Sequence, residues 1–356
     1  MLTRIVVAAA LALAVVRPAL AQAPLPVPQP SPAASVSQRV GLTDITVTYH
    51  RPAVNSREVW GALVPNGQVW RAGANENTVI TFSSDVTVGG HMLPAGSYGL
   101  HMIPAAGEWT VIFNKESHAW GSFFYDQKDD AARVTVKPRP ADFQERLSYT
   151  FDEPSDASVV ATLHWEKLAI PVRIDVDTPA VVAASFRTQL RGPAGFTWQG
   201  FAQAASWCAR HDVNLDEAQT WADKAVALNE NFQTLRARAW VAEKKGNAQL
   251  AQQLRDKSLT IATEADMNQY GYTLLQTGKK DEAIAVFRQN VAKYPASWNT
   301  YDSLAEALAQ AGQKAEAVSN YQKARSMVRD ETNQTRIDGI LAGLGTPPAA
   351  VTNTKK

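Results

Sequence analysis

The sequence has only one cysteine, Cys208, among 356 residues. A single thiol excludes an intramolecular disulfide, a CxxC redox pair and a zinc site built from several cysteines. Because Cys208 lies in an alanine-rich helical pattern, we expect a small buried side chain there rather than a nucleophile.

Excess charge of either sign is also lacking, since 35 basic residues face 34 acidic ones and the formal net charge is +1. This balance excludes a strongly basic nucleic-acid arm, so no nucleic-acid partner is predicted. Beyond the N-terminus no stretch is apolar enough to span a bilayer, which requires about 20 residues. No stable membrane insertion is therefore expected.

Common catalytic motifs are absent from the sequence. There is no GxSxG elbow, no HExxH pair, no GxxxxGK[ST] loop and no GxGxxG following a strand. These absences favour a protein that is not an enzyme, and the sequence indicates neither a catalytic residue nor a cofactor.

The N-terminus has the pattern of a secretory signal. Arg4 is followed by an apolar run, and Ala19-Leu20-Ala21 fits a small-x-small cleavage site, so residues 1–21 are predicted to be removed. Residues 22–36 contain alternating prolines and are predicted to form an extended linker. We therefore expect an exported protein, periplasmic or secreted.

Residues 37–177 have apolar residues with period two, interrupted by turn residues about every ten positions. This pattern predicts many short antiparallel strands, arranged as a β-sandwich or an open barrel. The expected fold is α+β and multidomain, because the following half of the chain has a helical period.

The C-terminal half repeats itself at 34 residues, with Leu274 matching Leu308 and Gly278 matching Gly312. This period, with glycine in the turn, is typical of tetratricopeptide repeats. We expect a connector at 178–197, an all-α solenoid of about four helix pairs at 198–345, and a disordered tail at 346–356.

The β half contains three motifs that together resemble a known family. They are Trp60-Gly61-Ala62-Leu63-Val64-Pro65, Val69-Trp70-Arg71-Ala72-Gly73-Ala74-Asn75-Glu76-Asn77-Thr78 and Leu93-Pro94-Ala95-Gly96-Ser97-Tyr98. The stretch from Ser35 to Asp177 is similar to an exported bacterial family known as domain of unknown function 2911. The resemblance implies export and a β fold, followed by helical repeats, but no activity.

The best candidate ligand site is a short polar span of this half. Its members are Arg51, Arg57, Trp70, Arg71, Asn75 and Glu76. A guanidinium can bind a carboxylate or phosphate, and an indole can stack on a sugar ring. The alternative is structural, with Arg71 paired to Glu76 and Trp70 closing the end of the sandwich.

Five of the six histidines lie in the β half, which suggests a metal site only weakly. A turn at Pro94-Ala95 would pair His91 with Gly99 and bring His101 beside His91. Without a visible third ligand, exposed strand histidines are the favoured interpretation and no metal is predicted.

A partner-binding groove is predicted on the first helices of the repeats. The 34-residue register places these polar side chains on it: Asn268, Tyr272, Gln276, Asn299, Asp302, Glu306 and Gln310. They suit an extended peptide or a partner helix. The alternatives are that this groove only packs against the β half or that it mediates self-association.

The leading hypothesis is an exported, non-enzymatic binding or scaffold protein whose helical repeats bind a protein partner. The alternative is a small-ligand or carbohydrate-binding protein, or a hydrolase, with its site at Trp70 and Arg71. The ten tryptophans divide evenly between the halves. This division favours two separate cores over one aromatic cleft and leaves only Trp70 with a functional role.

Overall fold

The computed structural model describes residues 27–345. Two compact units meet in sequence at Val176 and Asp177, next to the predicted end of the β domain. The predicted signal peptide (1–21) and tail (346–356) lie outside the described residues, as does the start of the predicted linker.

The first unit contains two antiparallel sheets. Their strands are β1 (Ala33–Val40), β2 (Thr43–His50), β3 (Val79–Phe82), β4 (Val86–Val88), β5 (His91–Leu93), β6 (Gly96–Ile103), β7 (Trp109–Asn114), β8 (Asp130–Val136), β9 (Arg139–Asp152) and β10 (Ser158–Asp175). One sheet has the order β1-β2-β3-β6-β7-β8 and the other β5-β4-β10-β9. The predicted antiparallel β architecture is confirmed.

Strands of both sheets contribute buried apolar side chains to the interior of the first unit. In β2, Ile45 and Val47 are fully buried while their neighbours are more exposed, as period two requires. Tyr49 of β2 meets Tyr149 of β9 edge to face, with ring centroids 4.8 Å apart. An aromatic pair of this geometry joins the sheets by direct contact.

The predicted linker, 22–36, overlaps the folded domain. β1 starts at Ala33 and pairs with β2 along all eight residues, so the predicted start of the β domain at residue 37 is too late. Ahead of β1, the carbonyls of Pro30 and Pro32 accept hydrogen bonds from Arg146 and from the Arg51 amide. The edge strand is largely exposed, so its apolar pattern is weak.

β10 is one strand of 18 residues. Its pairing with β9 shifts register on either side of Glu166, which has a positive φ of 54°. The break in the apolar pattern at this position therefore marks a β-bulge rather than a chain reversal.

The expected pairing of His91 with Gly99 is wrong. β5 pairs with β4 in the four-stranded sheet, whereas Gly99 of β6 pairs with Val79 and Asn114 in the six-stranded sheet. The turn at Pro94-Ala95 carries the chain from one sheet to the other, so His91 and His101 are not neighbours.

The second unit is helical throughout its described part. Its α-helices are α1 (Thr178–Gln189), α2 (Trp198–His211), α3 (Leu215–Leu228), α4 (Phe232–Lys244), α5 (Ala248–Ile261), α6 (Glu264–Gln276), α7 (Lys280–Lys293), α8 (Trp298–Gln310), α9 (Lys314–Met327) and α10 (Glu331–Gly343). The helices α2 to α9 form four successive pairs, and α10 follows. The predicted tetratricopeptide-like solenoid is confirmed.

The 34-residue register has a direct packing basis. The matched residues Leu274 and Leu308 are buried, as are Phe287 and Tyr321. Gly278 and Gly312 have φ of 78° and 79°, a left-handed conformation that favours glycine at the end of a helix. Successive repeats thus bury side chains at the same positions and have the same glycine turn.

The predicted connector, 178–197, is itself mostly helical. The Asp177 side chain accepts a hydrogen bond from the Ala180 amide and caps α1, with Pro179 in the first turn, an arrangement that favours helix initiation. A short 3₁₀-helix, Pro193–Phe196, leads to α2.

Cys208 of α2 is fully buried, as expected. Burial raises the pKa of its thiol to about 11, which suppresses the reactive thiolate. Within residues 27–345, none of the helices combines the length and apolar character that a bilayer crossing needs.

Candidate functional site

The predicted ligand-binding residues all lie in the long segment between β2 and β3. Isolated bridges join this segment to strands of both sheets. Trp70 exchanges two backbone hydrogen bonds of 2.8 Å each with Met102 of β6, and Ala53 bridges to Arg146 of β9. The segment is therefore fixed to the domain even though it contains little regular structure.

The turn after Trp70 is held by hydrogen bonds to its carbonyls. The Ala72 carbonyl accepts from the Thr78 hydroxyl at 3.1 Å and from the Tyr149 hydroxyl at 2.9 Å. The Trp70 indole N–H donates to the Gly73 carbonyl at 3.1 Å. Ala72 itself has a φ of 50°, which costs free energy for a residue with a Cβ and requires such support.

A cavity of about 290 Å³ lies against this turn. Four of the six predicted ligand-binding residues line it, namely Arg57, Trp70, Arg71 and Asn75. Ser31, from the segment before β1, and Trp165 of β10 complete much of the wall. The structure thus brings most of the candidate site together around one concave space.

Arg71 does not form the ion pair that the structural alternative required. Glu76 instead meets His50, with 3.2 Å between the carboxylate and Nε2. Arg71 donates to the Asn75 carbonyl and lies 5.3 Å from the centre of the Phe123 ring. Burial lowers the pKa of its guanidinium from the ordinary value, since burial disfavours the charged form.

Of the other predicted ligand-binding residues, some line the cavity and some do not. Arg57 is held by the carbonyls of Ala53 and Val54, at 2.6 and 3.0 Å. Arg51 donates to the Leu147 carbonyl at 2.9 Å and, like Glu76, does not line the cavity. Arg51 and Glu76 therefore support the surrounding structure.

Behind the cavity lies a cluster of four tryptophans that the sequence-based interpretation missed. Trp60 contacts Trp70, Trp109 and Trp165 with ring centroids 5.8, 5.0 and 5.6 Å apart. Trp70 and Trp165 stack at 5.8 Å with 20° between their planes. The even division of tryptophans along the sequence thus gave the wrong impression that an aromatic site was absent.

The histidines do not form a metal site within the described residues. No group of three or more His, Cys, Asp or Glu side chains there could hold a metal ion. His91 is exposed as expected, but His101 is 2% exposed, so the expectation of exposed strand histidines is wrong for it. Its Nδ1 lies 2.9 Å from the Ser122 hydroxyl.

The predicted groove residues of the helical domain all lie on α6 and α8. Several bind one another: the Tyr272 hydroxyl donates to Glu306 at 2.8 Å, and Arg336 of α10 pairs with Asp302 at 2.8 Å. Asn299 lies 3.4 Å from Glu264, and Gln310 lies 3.2 Å from Glu306. Three of these contacts join different helices, whereas that between Gln310 and Glu306 lies within α8. The role of the groove residues in partner binding stays a prediction.

A larger pocket, of about 520 Å³, is lined mainly by α2, α4 and α6. Its charged and aromatic lining residues are Arg210, Phe232, Arg236, Trp240, Glu243, Arg255, Tyr270 and Lys279. The 34-residue register did not locate it, because α4 begins at Phe232 and α6 at Glu264, an offset of 32. The four-residue spacing of Arg236 and Trp240 on one helix face was the available signal.

Geometry therefore defines a protein with two parts, a β-sandwich and a tetratricopeptide-like solenoid. Residues 31–174 match the family described as "Protein of unknown function (DUF2911)". The resemblance predicted from the motifs of the β half is confirmed. Residues 241–335 match a second family, described as "Bacterial transcriptional activator domain".

Several solved structures are similar to the chain. MamA from Desulfovibrio magneticus RS-1, in a chain that runs from its residue 41 to its end, is 18% identical with a TM-score of 0.27, and the match covers 43% of this chain and 85% of that one. Pseudomonas aeruginosa PilF is 18% identical with a TM-score of 0.26, covering 43% and 69%. YrrB, a TPR protein with an unusual peptide-binding site, is 15% identical with a TM-score of 0.27, covering 46% and 84%. No curated protein matches the chain in sequence.

Proposed function

We propose that this chain is a non-enzymatic scaffold whose helical domain binds an acidic segment of a partner protein. The observation that carries the proposal is the basic, aromatic pocket lined by α2, α4 and α6. Its volume of about 520 Å³ lies within the range of about 300–1,000 Å³ that is usual for small binding sites. It can hold a few side chains of an extended peptide.

The charges of this pocket favour an acidic partner. Arg255 is paired with Glu243 at 2.9 Å, and Lys279 lies 3.3 Å from Glu282. Arg210 and Arg236 have no ion-pair partner within residues 27–345. Two guanidinium groups without counter-charges can fork onto carboxylates of a bound segment.

Aromatic rings hold these two arginines in place. The Arg236 guanidinium lies 3.9 Å from the centre of the Tyr270 ring, and the Arg210 guanidinium lies 5.6 Å from that of Trp240. Cation–π contacts of this kind restrict a flexible side chain before any ligand arrives. Since less side-chain entropy is lost on binding, such restriction favours affinity.

The test is a selection of displayed peptides on the full chain, followed by titration of synthetic peptides. We expect peptides that combine Asp or Glu with an apolar residue. Arg236→Gln is expected to weaken their binding about tenfold, because a charge-assisted hydrogen bond is lost. Arg238→Gln is the matched control: it makes the same change two residues along α4, where Arg238 pairs with Asp223 at 2.6 Å.

A selection that yields no acidic preference, or peptides that bind wild type and Arg236→Gln equally, would contradict the proposal. The groove predicted from the sequence is tested in the same assay by Tyr272→Phe and Gln310→Ala. If only these variants bind the peptides more weakly, the partner binds the face of α6 and α8 rather than the pocket.

We also propose that the chain is exported after cleavage near Ala21, to the periplasm or the medium. The support is the pattern of residues 1–21, with a basic start, an apolar run and a small-x-small end. N-terminal sequencing of the protein expressed from its full sequence is expected to begin near Gln22. A mature protein that retains Met1 and stays with the cytosolic fraction would contradict export.

A further inference from the structure

The cavity beside Trp70 has walls from separate parts of the β domain. Ser31 precedes β1, Arg57 and Arg71 lie between β2 and β3, and Trp165 belongs to β10, yet all line the same space of about 290 Å³. That volume is at the low end of the range of small-molecule sites. A single small compound fits it better than a polymer segment.

The lining is cationic. Its charged residues are Arg57 and Arg71, and it includes no aspartate or glutamate. Arg71 is half-buried and has no ion-pair partner in the described part of the chain. A partly desolvated cation without a counter-charge is unfavourable, and an anion in the cavity would compensate it.

The turn that carries the cationic side chain is rigid before a ligand binds. Ala72 and Asn75 have φ of 50° and 57°, and two hydroxyl groups donate to the Ala72 carbonyl. At Gly73 an added Cβ would lie 2.5 Å from the Thr78 Oγ1, so the chain is closely packed there. Backbone held in this way places its side chains at little entropic cost.

The segment before β1 closes one side of the site. The Asn75 side-chain amide donates to the Gln29 side chain at 2.7 Å and to the Ser31 carbonyl at 3.2 Å. These bonds fix both the proline-rich segment and Asn75. The segment predicted as a spacer is therefore part of the cavity wall.

The remaining wall is aromatic. Trp70 is half-buried and stacks on Trp165, which is 1% exposed. The indole N–H of Trp165 has no hydrogen-bond acceptor among the residues that the structure describes. Indole faces stack on sugar and aromatic rings, and an indole N–H favours an acceptor nearby.

We propose that this cavity binds a ring-containing organic acid of monosaccharide size, such as a hexuronate. Its carboxylate would be bound by the guanidinium of Arg71 with Arg57 nearby, and its ring would lie against Trp70. This site is separate from the scaffold function proposed for the helical domain. It assigns the β domain a ligand of its own.

Calorimetric titration of the full mature chain tests the proposal with glucuronate, glucose 6-phosphate and glucose. We expect saturable binding of glucuronate and at least about tenfold weaker binding of glucose, since glucose lacks the charge. Equal binding of glucose 6-phosphate would support the same anion site and widen its ligands to phosphates. Arg71→Gln is expected to weaken glucuronate binding about tenfold or more.

Two further variants separate a binding defect from a folding defect. Arg57→Gln also removes a charge from the lining, and it should weaken glucuronate binding even if Arg71→Gln does not fold. Arg39→Gln is the matched control, because Arg39 is exposed and pairs with Asp44 at the far end of β1. The proposal is overturned if no acid of the set binds, if glucose binds as tightly as glucuronate, or if folded Arg71→Gln and Arg57→Gln both bind like wild type.

Discussion

The fold changes the ionisation of His101. Burial is the largest cause that lowers its pKa from 6.5 to about 4, and the nearby Arg71 charge acts in the same direction while Asp130 opposes it. The folded protein therefore favours the neutral imidazole. Between pH 6.5 and about 4, the unfolded chain binds more protons at this residue than the folded chain does.

This difference predicts a loss of stability in acid. As the pH falls from 6.5 to 4, His101 should reduce the free energy of unfolding by about 3 kcal/mol at most, and above that window it should contribute no pH dependence. In urea unfolding followed by tryptophan fluorescence, His101→Gln should be less sensitive to acid than wild type. His91→Gln removes an exposed imidazole and is expected to behave like wild type; parallel pH curves for all three proteins would refute the prediction.

At the scale of single residues, the sequence identified four of the residues that line the cavity but not their hydrogen-bond and ion-pair partners. Arg57, Trp70, Arg71 and Asn75 could be grouped because they are close in sequence and have complementary chemistry. Glu76 meets His50 rather than Arg71, and Ala72, which lies between Arg71 and Glu76 in sequence, has a left-handed backbone conformation. Alanine gives no sequence signal for the left-handed conformation found there.

Among the elements, α6 and α10 each contain a glycine in a helical conformation, with opposite surroundings. A Cβ added to Gly271 of α6 would lie 2.4 Å from the ring of Phe287, which is fully buried. A Cβ added to Gly339 of α10 would have no neighbour within 4 Å. The same substitution should therefore have opposite effects on the two helices.

Gly271→Ala is expected to lower the free energy of unfolding by about 1–3 kcal/mol through overpacking. Gly339→Ala should raise it by up to about 1 kcal/mol, since alanine favours a helix and nothing obstructs its methyl group. Thermal and urea unfolding followed by helical circular dichroism measure both changes. If Gly271→Ala stabilises the protein as much as Gly339→Ala does, the added methyl group is not overpacked against Phe287 and the prediction is wrong.

The success of sequence-based prediction differed between the two kinds of element. The helical repeats were located because every copy must bury the same positions, and a period of 34 residues is visible without any partner strand. For strands the period shows which face is buried but not which sheet receives the strand. Hence β5 and β6, three residues apart in sequence, were assigned to one hairpin although they belong to different sheets.

At the scale of the whole molecule, each unit contains a buried core of its own. Ile112 of β7 is fully buried in the β domain, and Leu308 of α8 is fully buried in the helical domain. The tryptophans are consistent with this separation: four cluster in the β domain, while Trp221 lies in the core formed by α2, α3 and α4. Because the cores are separate, we expect each unit to unfold independently of the other.

Core truncations test this separation because each removes buried methyl groups from one core only. Ile112→Ala and Leu308→Ala should each cost about 2–5 kcal/mol. In hydrogen exchange measured by mass spectrometry, Ile112→Ala is expected to accelerate exchange in peptides from β6 and β7 and to leave those from α8 and α9 unchanged. Leu308→Ala should do the reverse, because the slowest amides exchange by unfolding of the unit that contains them. Faster exchange throughout the chain in both variants would instead mean that the two cores unfold as one cooperative unit.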